Sequence, residues 1–188
     1  MTAVPPLRTD AARNRRLVLG VAARVFAAGS ETSMRAIARE AGVGVATLYR
    51  HFPTRESLVD AVYADHVRRL VEGARERLET RTPAAAMREW MDLFADWVAT
   101  KHGMLDTLLA MIDAGQIAHA QSREELLEAI TTILQAGAAA GDIRGDISAE
   151  DVAASLTGIL TVAGSTDQRP QAHRLLDLLM DGLKTRTA

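Results

Sequence analysis

The chain has 188 residues without a single cysteine, only five prolines, and aromatic residues that make up 4% of the sequence. Without cysteine there is no disulfide framework, no thiolate nucleophile and no cysteine-bound zinc site. No uninterrupted apolar run approaches the roughly 20 residues of a membrane-spanning helix, and the first residues lack the apolar core of a signal peptide. We therefore expect a cytoplasmic protein that does not bind a membrane.

Charge is unevenly distributed along the chain. Residues 1–58 contain nine arginines and four acids, a net charge of +5, whereas residues 59–188 have a net charge of −7. A basic N-terminal third suggests a module that meets a polyanion, joined to one that does not. The alternative is that the arginines cluster by chance on a solvent-exposed face, and the charge distribution by itself does not decide between the two. The 48% hydrophobic content excludes a disordered chain and is enough for a sizeable core.

Apolar residues recur at helical spacing along almost the whole chain, and alternating strand patterns are nearly absent. Leu17, Val21 and Val25 form one row of a first helix, which we expect to end at Gly29. Later helix starts are indicated by the following residues: Thr54, Pro83, the capping box Ser122 to Glu125, Ser148 and Pro170. About nine helices are predicted, which makes the fold all-α.

Two short helical segments flank the turn at Gly42. A helix, a short turn with glycine and a second helix form the helix-turn-helix pattern, in which the second helix enters the DNA major groove. The second segment offers side chains able to touch base edges, thymine methyl groups and phosphates: Val45, Ala46, Thr47, Tyr49, Arg50 and His51. An ordinary helical hairpin is the alternative at this point.

The same part of the chain contains the segments TSMRAIAREAGV (32–43), TLYRHF (47–52) and RESL (55–58). With these segments, residues 12–60 closely resemble the TetR family of bacterial transcriptional regulators. The resemblance implies an N-terminal three-helix DNA-binding domain followed by a C-terminal helical bundle. The tryptophan-rich helix and the break at residues 101–103 are similar to the SbtR-like branch of the family. We predict a flexible arm at 1–11, a DNA-binding domain at 12–58 and a ligand-binding and dimerisation domain at 59–188.

The resemblance also implies a role for individual residues. Ser33, Met34 and Arg35 correspond to positions that touch phosphates or a base edge, and Thr47, Tyr49 and His51 to positions that contact the DNA backbone. Val45, Ala46 and Arg50 correspond to positions where the base sequence is read. Arg55 stands where the family most often has lysine, so it keeps the charge but can grip a phosphate with two hydrogen bonds. The expected partner is a double-stranded, palindromic DNA operator.

A ligand site and a dimer interface are predicted for the C-terminal domain. An apolar and aromatic stripe could line a pocket for a small, largely apolar molecule, or could simply be core: Met87, Trp90, Met91, Phe94, Trp97, His102, Leu105, Thr107, Leu108 and Met111. The last two helices carry apolar residues that we expect to pair in a homodimer: Val152, Leu156, Ile159, Leu160, Leu175, Leu179 and Leu183.

The expected function is that of a ligand-responsive transcriptional regulator, most simply a repressor that binds its operator as a dimer. The alternative is a helical small-molecule-binding or adaptor module that never touches DNA. An enzyme has least support, because the chain lacks a phosphate-binding glycine loop, an HExxH zinc motif and a Gly-x-Ser-x-Gly elbow. No two of His66, His102 and His119 share a helix at ligand spacing, so neither a metal nor another cofactor is predicted.

Overall fold

The computed structural model describes residues 6–28, 33–115, 119–163 and 168–185, and within these ranges it contains nine α-helices and no β-strand. The helices are α1 Pro6–Ala27, α2 Met34–Glu40, α3 Val45–His51, α4 Arg55–Thr80, α5 Pro83–His102, α6 Leu105–Asp113, α7 His119–Ala140, α8 Ala149–Ala163 and α9 Arg169–Leu183. The predicted all-α fold is confirmed. No helix in these ranges is long and apolar enough to cross a membrane.

The chain forms two compact units, and the division falls inside helices. The first unit consists of residues 1–65 and 100–117, so it contains α1 to α3, the beginning of α4, the end of α5 and α6. The second consists of residues 66–99 and 118–188, which include most of α5 and helices α7 to α9. The functional division expected at residue 59 stays a prediction.

The first helix is longer than the sequence pattern suggested. Because α1 begins at Pro6, the prediction of a flexible arm over 1–11 is wrong for residues 6–11. Proline suits the first turn of a helix, where a missing N–H costs no hydrogen bond. Leu17 is 45% exposed although it continues the apolar row, whereas Val21 and Val25 are buried. Gly29, the expected end of the helix, lies outside the described residues.

Two of the predicted helix starts are confirmed by hydrogen bonds at the helix termini. The Thr54 hydroxyl accepts a hydrogen bond from the Ser57 amide at 3.1 Å, and the Ser148 hydroxyl accepts one from the Asp151 amide at 3.1 Å. Both are side-chain caps that satisfy amides of the first helical turn. The capping box expected at Ser122 is wrong, because α7 begins earlier, at His119, and places this serine inside the helix.

Within the second unit, α8 packs against both α7 and α9. Charged residues spaced one helical turn apart also connect α5 to α9. Arg88 donates hydrogen bonds of 2.6 Å to Asp92 on its own helix and to Asp177 on α9. One turn further along, His173 lies 3.4 Å from Asp92, and Arg169 pairs with Asp96 at the end of the row. This α5–α9 ion-pair row links the exposed edge of α9 to α5.

Candidate nucleic-acid interface

The second helix is held in the first unit by its cap and by its apolar face. The Ser33 hydroxyl accepts a hydrogen bond from the Ala36 amide at 3.2 Å, which fixes the first turn of α2. Ile37 and Ala38 are completely buried, and Met34 is 8% exposed. Arg35 and Arg39 are exposed, so the same short helix presents two cations to solvent while its other face packs on the domain.

The turn between α2 and α3 depends on a glycine with a left-handed backbone. Gly42 has φ +66, a conformation that residues with a Cβ adopt only with strain. The Val43 amide then donates to the Ala38 carbonyl at 3.0 Å, which closes the turn over the end of α2. Leu48, completely buried on α3, anchors the second helix in the core. The orientation of α3 follows from this turn and this anchor.

The exposed face of α3 consists of Val45, Ala46, Tyr49 and Arg50. These positions are one or four residues apart, so they form one continuous face of a helix. Val45 is 40% exposed and Tyr49 is 41% exposed, so both side chains contribute apolar surface to this face. The face combines methyl groups, a phenol and a guanidinium, and it can therefore contact both bases and phosphates.

The remaining predicted DNA contacts differ in their positions. Ser33 is exposed, and Thr47 and Arg55 are half-buried at the margins of the α3 face. Met34 was expected to contact DNA, but this prediction is wrong because its side chain packs in the domain core. The Nε2 atom of His51 is buried and has no hydrogen-bond partner among the residues the structure describes, so this atom does not face the surface as expected.

Two arginines at the margins of the interface lie over aromatic rings. The Arg15 guanidinium lies 5.6 Å from the centre of the Phe52 ring, directly after α3. The Arg55 guanidinium, at the start of α4, lies 5.3 Å from the centre of the Phe26 ring. Such contacts limit the freedom of a long side chain. Arg15 is not among the DNA-contact residues predicted from the sequence, because no local spacing pairs a residue of α1 with one beyond α3.

Acidic Glu56 lies in the first turn of α4, beside Arg55. Hydrogen bonds from its own backbone amide and then from Thr54 lower the pKa of the Glu56 carboxyl below its ordinary value. The carboxylate therefore stays charged at the positive end of the helix dipole, where a negative charge is favourable. It stabilises the helix that positions Arg55.

Five of the predicted ligand-site residues of α5 are buried in the second unit. Trp90 and Met91 are completely buried, and the Trp90 indole N–H donates to the Leu70 carbonyl at 2.8 Å. The ring of Phe94 lies between the two tryptophans, 5.6 Å from Trp90 and 5.1 Å from Trp97. Met87 completes this buried stripe. Trp90 is thus a core residue with its polar group satisfied, while a pocket beside the stripe stays a prediction.

The predicted ligand-site residues of α6 belong to the first unit. Leu108 and Met111 are buried and Thr107 is half-buried, whereas Leu105 is 38% exposed. The side chain of His102, at the end of α5, lies outside the part of the chain that the structure describes. Their proposed contact with a ligand stays a prediction.

The predicted dimer residues are largely inside the protomer. Val152, Leu156, Leu160 and Leu183 are at most 3% exposed in a single chain, so they are not available as a surface for a partner. Because α7 as well as α9 packs on α8, the helices of a single chain cover these residues without a partner. Three further predicted residues are half-buried: Ile159, Leu175 and Leu179. The apolar side chains that α8 and α9 expose most are Val162 and Leu178, each at 67%.

No group of three or more potential metal ligands occurs among the described residues. The described surface of the first unit contains instead the exposed α3 face with Arg35 beside it. Its chemistry is that of recognition, through donors and methyl groups held on a short rigid helix.

Solved structures resemble the chain over nearly its whole length. A TetR transcriptional regulator from Streptomyces coelicolor is 44% identical, with 92% of this chain and 99% of that chain covered and a TM-score of 0.86. A TetR regulatory protein from Mycobacterium vanbaalenii is 35% identical, with 96% and 100% covered and a TM-score of 0.76. A third structure, described for the control of antibiotic production by bacterial hormones, is 25% identical, with 92% and 98% covered and a TM-score of 0.67.

Two family profiles match consecutive parts of the chain. Residues 18–62 match the bacterial regulatory proteins of the tetR family, and residues 82–185 match the C-terminal domain of SbtR-like transcriptional regulators. No curated protein matches significantly. The exposed recognition face on α3, the all-α fold, the two profiles and the near-complete structural matches agree, and the chain therefore belongs to the TetR family of transcriptional regulators, with an SbtR-like C-terminal domain.

Proposed function

We propose that this DNA-binding regulator is a repressor that binds a palindromic operator as a homodimer and releases it in response to a small, largely apolar ligand. The observation that carries the proposal is the exposed α3 face of Val45, Ala46, Tyr49 and Arg50. Large apolar and aromatic side chains at the surface of a rigid helix indicate a binding surface. The match of residues 18–62 to the bacterial regulatory proteins of the tetR family favours DNA as the partner of this face over the alternative of a helical adaptor.

Each side chain of the interface has a role that suits its chemistry. The exposed guanidinium of Arg50 can donate two hydrogen bonds to a guanine, and Arg35 offers the same possibility from α2. Val45 and Ala46 provide methyl groups that suit thymine. Contacts to phosphates come from the exposed or half-buried polar side chains at the margins: Ser33, Thr47, Tyr49 and Arg55.

A homodimer would place two α3 helices on one duplex. A single α3 exposes only a short face and therefore reads few base pairs, whereas a two-fold axis would present two such helices about 34–36 Å apart, in successive major grooves. Support for this arrangement comes from Val162 and Leu178, the exposed apolar side chains of α8 and α9. A partner chain would remove both from water.

The test of DNA reading begins with a random duplex library, from which the protein selects its own operator. Arg50→Ala is then expected to lose about 1 to 3 kcal/mol of discrimination between the selected and a scrambled duplex. Tyr49→Phe, which removes a phosphate contact, is expected to weaken both duplexes alike. If Arg50→Ala weakens both equally, its role in reading bases is wrong, and if no duplex is enriched, sequence-specific DNA binding is wrong.

A ligand response has separate support. The buried aromatic and methionine stripe of α5 offers the adaptable apolar surface that small-molecule sites use, and one structural relative is described for control by bacterial hormones. Both tryptophans of the chain lie in this stripe, so their emission reports on binding there. Titration with the amphiphilic dye 8-anilinonaphthalene-1-sulfonate, whose aromatic rings suit an apolar site, is expected to quench tryptophan emission and to weaken operator binding. Quenching without any change in operator affinity would contradict the proposed control.

Repression itself is tested by transcription in vitro from a promoter that carries the selected duplex. The protein is expected to lower transcript yield, and Arg50→Ala to restore it. An increase in transcript on adding the protein would identify an activator instead.

A further inference from the structure

The corner between α5 and α6 lies unusually close to the end of α1. A Cβ atom built on Gly103 would lie 1.7 Å from the backbone oxygen of Phe26 and 2.5 Å from its carbonyl carbon. Only a residue without a Cβ fits against this peptide group. The positive φ angles of the described residues occur at other glycines, so the requirement here is space and not backbone conformation.

Neighbouring residues hold the corner in this place. Met104 is buried, with 2% of its surface exposed, and its amide donates to the Lys101 carbonyl at 3.2 Å. The Leu108 amide in turn donates to the Met104 carbonyl at 3.0 Å, which ties the corner to the first turn of α6. Residues 100–117 form one compact unit with α1 to α3. A shift of the corner therefore changes the contact at Phe26.

Phe26 has a second contact, made by its ring. The side chain is 1% exposed, and the Arg55 guanidinium lies 5.3 Å from the ring centre. Its backbone thus touches Gly103, and its ring supports a cation at the start of α4. One residue connects the α5–α6 corner with Arg55.

We propose that Phe26 is a positioning residue that transmits the position of the α5–α6 corner to Arg55, and thereby changes the grip of Arg55 on DNA. This inference rests on the proposed phosphate contact of Arg55. The corner ends α5, the helix that carries the aromatic stripe, so a displacement along this continuous helix reaches Gly103. A buried ring transmits displacement because a packed interior has no free volume to absorb it.

The connection is tested by a double-mutant cycle on affinity for the selected operator duplex. Gly103→Ala is expected to lower affinity about fivefold in the presence of Arg55, since the added methyl group must push Phe26 away. In an Arg55→Gln background the same substitution is expected to change affinity less than about twofold, because the cation to be positioned is absent. Independent residues would give the same factor in both backgrounds.

Gly20→Ala is the matched control for Gly103→Ala. Gly20 also lies in the first unit, on α1 itself, but a Cβ there would meet nothing within 4 Å. Its substitution is expected to leave operator affinity unchanged and to show no dependence on Arg55. A drop equal to that of Gly103→Ala would overturn the proposal, because any added methyl group in this unit would then have the same effect.

A second variant covers the case in which Gly103→Ala does not fold. Phe26→Leu keeps an apolar side chain in the core and removes the ring face beneath Arg55. It is expected to weaken operator binding, with no further loss when Arg55→Gln is added. If the losses of operator affinity are additive in the Phe26→Leu and Arg55→Gln cycle, the role of Phe26 is wrong, whereas DNA binding by Arg55 is unaffected. No loss for Arg55→Gln alone would overturn the proposed phosphate contact and this inference together.

Discussion

The arginines of the α3 face and its margins differ in how firmly their side chains are held. Arg50 has an exposed side chain, whereas the Arg55 and Arg15 guanidinium groups lie over Phe26 and Phe52. An arginine held over a ring loses less side-chain freedom on binding a phosphate than a free one does. Arg15 and Arg55 are therefore held in place before DNA binds. Arg50 is exposed on α3, where it can contact base edges.

Gly42 provides a test of the turn that orients α3. Its φ of +66 strains any residue with a Cβ, yet a methyl group there would meet nothing within 4 Å. Gly42→Ala is therefore expected to lower the free energy of unfolding by about 1 to 2 kcal/mol through backbone strain alone. Urea unfolding followed by circular dichroism measures this change.

Gly20 again provides the control, because it lies inside α1 with open space around its Cα. Gly20→Ala is expected to raise the free energy of unfolding by about 0.5 to 1 kcal/mol, since alanine loses less conformational entropy in a helix. Equal shifts in the same direction for the two variants would contradict a strained turn at Gly42.

Among the helices, α9 is connected to α5 by ion pairs at its exposed edge, beside its buried apolar face. The hydrogen bond from Arg88, with smaller contributions from the charges of His173 and Lys184, lowers the pKa of the Asp177 carboxyl below its ordinary 3.8. A carboxyl with a lowered pKa stabilises the fold when it is charged. Its contribution is complete above the ordinary value and is lost as the pH falls through the lowered one.

The α5–α9 ion-pair row should therefore weaken in acid. Asp177→Asn is expected to reduce the unfolding midpoint near neutral pH, and this difference from wild type is expected to shrink as the pH falls through the lowered pKa of the Asp177 carboxyl. Asp181→Asn is the control, because Asp181 pairs only with Lys184 in the described contacts, within the same end of the chain. A difference for Asp177→Asn that persists unchanged in strong acid would show that its effect is not electrostatic.

In the intact regulator, the property to test is the proposed assembly into a dimer. Leu178 and Val162 are each 67% exposed, so a charge at either position costs little in the isolated protomer. Leu178→Glu is expected to convert the proposed dimer into a monomer at low micromolar concentration and to weaken operator binding at least about tenfold, since the two half-sites are then bound independently. Light scattering measures the mass of each form.

Leu109→Glu is the matched control for Leu178→Glu, because it introduces the same charge at another exposed leucine, which is 50% exposed on α6. This variant is expected to keep the dimer mass. If wild type itself is a monomer at these concentrations, the proposed dimer is wrong. If Leu178→Glu remains a dimer, the interface lies elsewhere on the protomer.

Much of the molecule could be predicted from local sequence. Apolar spacing indicated the helices, Gly42 indicated the turn, and the face of Val45, Tyr49 and Arg50 follows from one turn of helix around a buried Leu48. Each of these properties depends on residues within a few positions of one another. Helical periodicity and a left-handed glycine are constraints on a short stretch of backbone, and they need no information about the rest of the chain.

Tertiary structure alone decided which apolar residues are covered and which distant residues touch. Leu17 belongs to an apolar row in the sequence, yet its side chain is exposed. Met34 was expected to contact DNA, yet its side chain is buried. The contact of Gly103 with Phe26 and that of Arg55 with the same ring join parts of the chain that no local pattern relates. Burial and contact depend on which helices pack against a given face, and that packing arises only when the whole unit folds around one core.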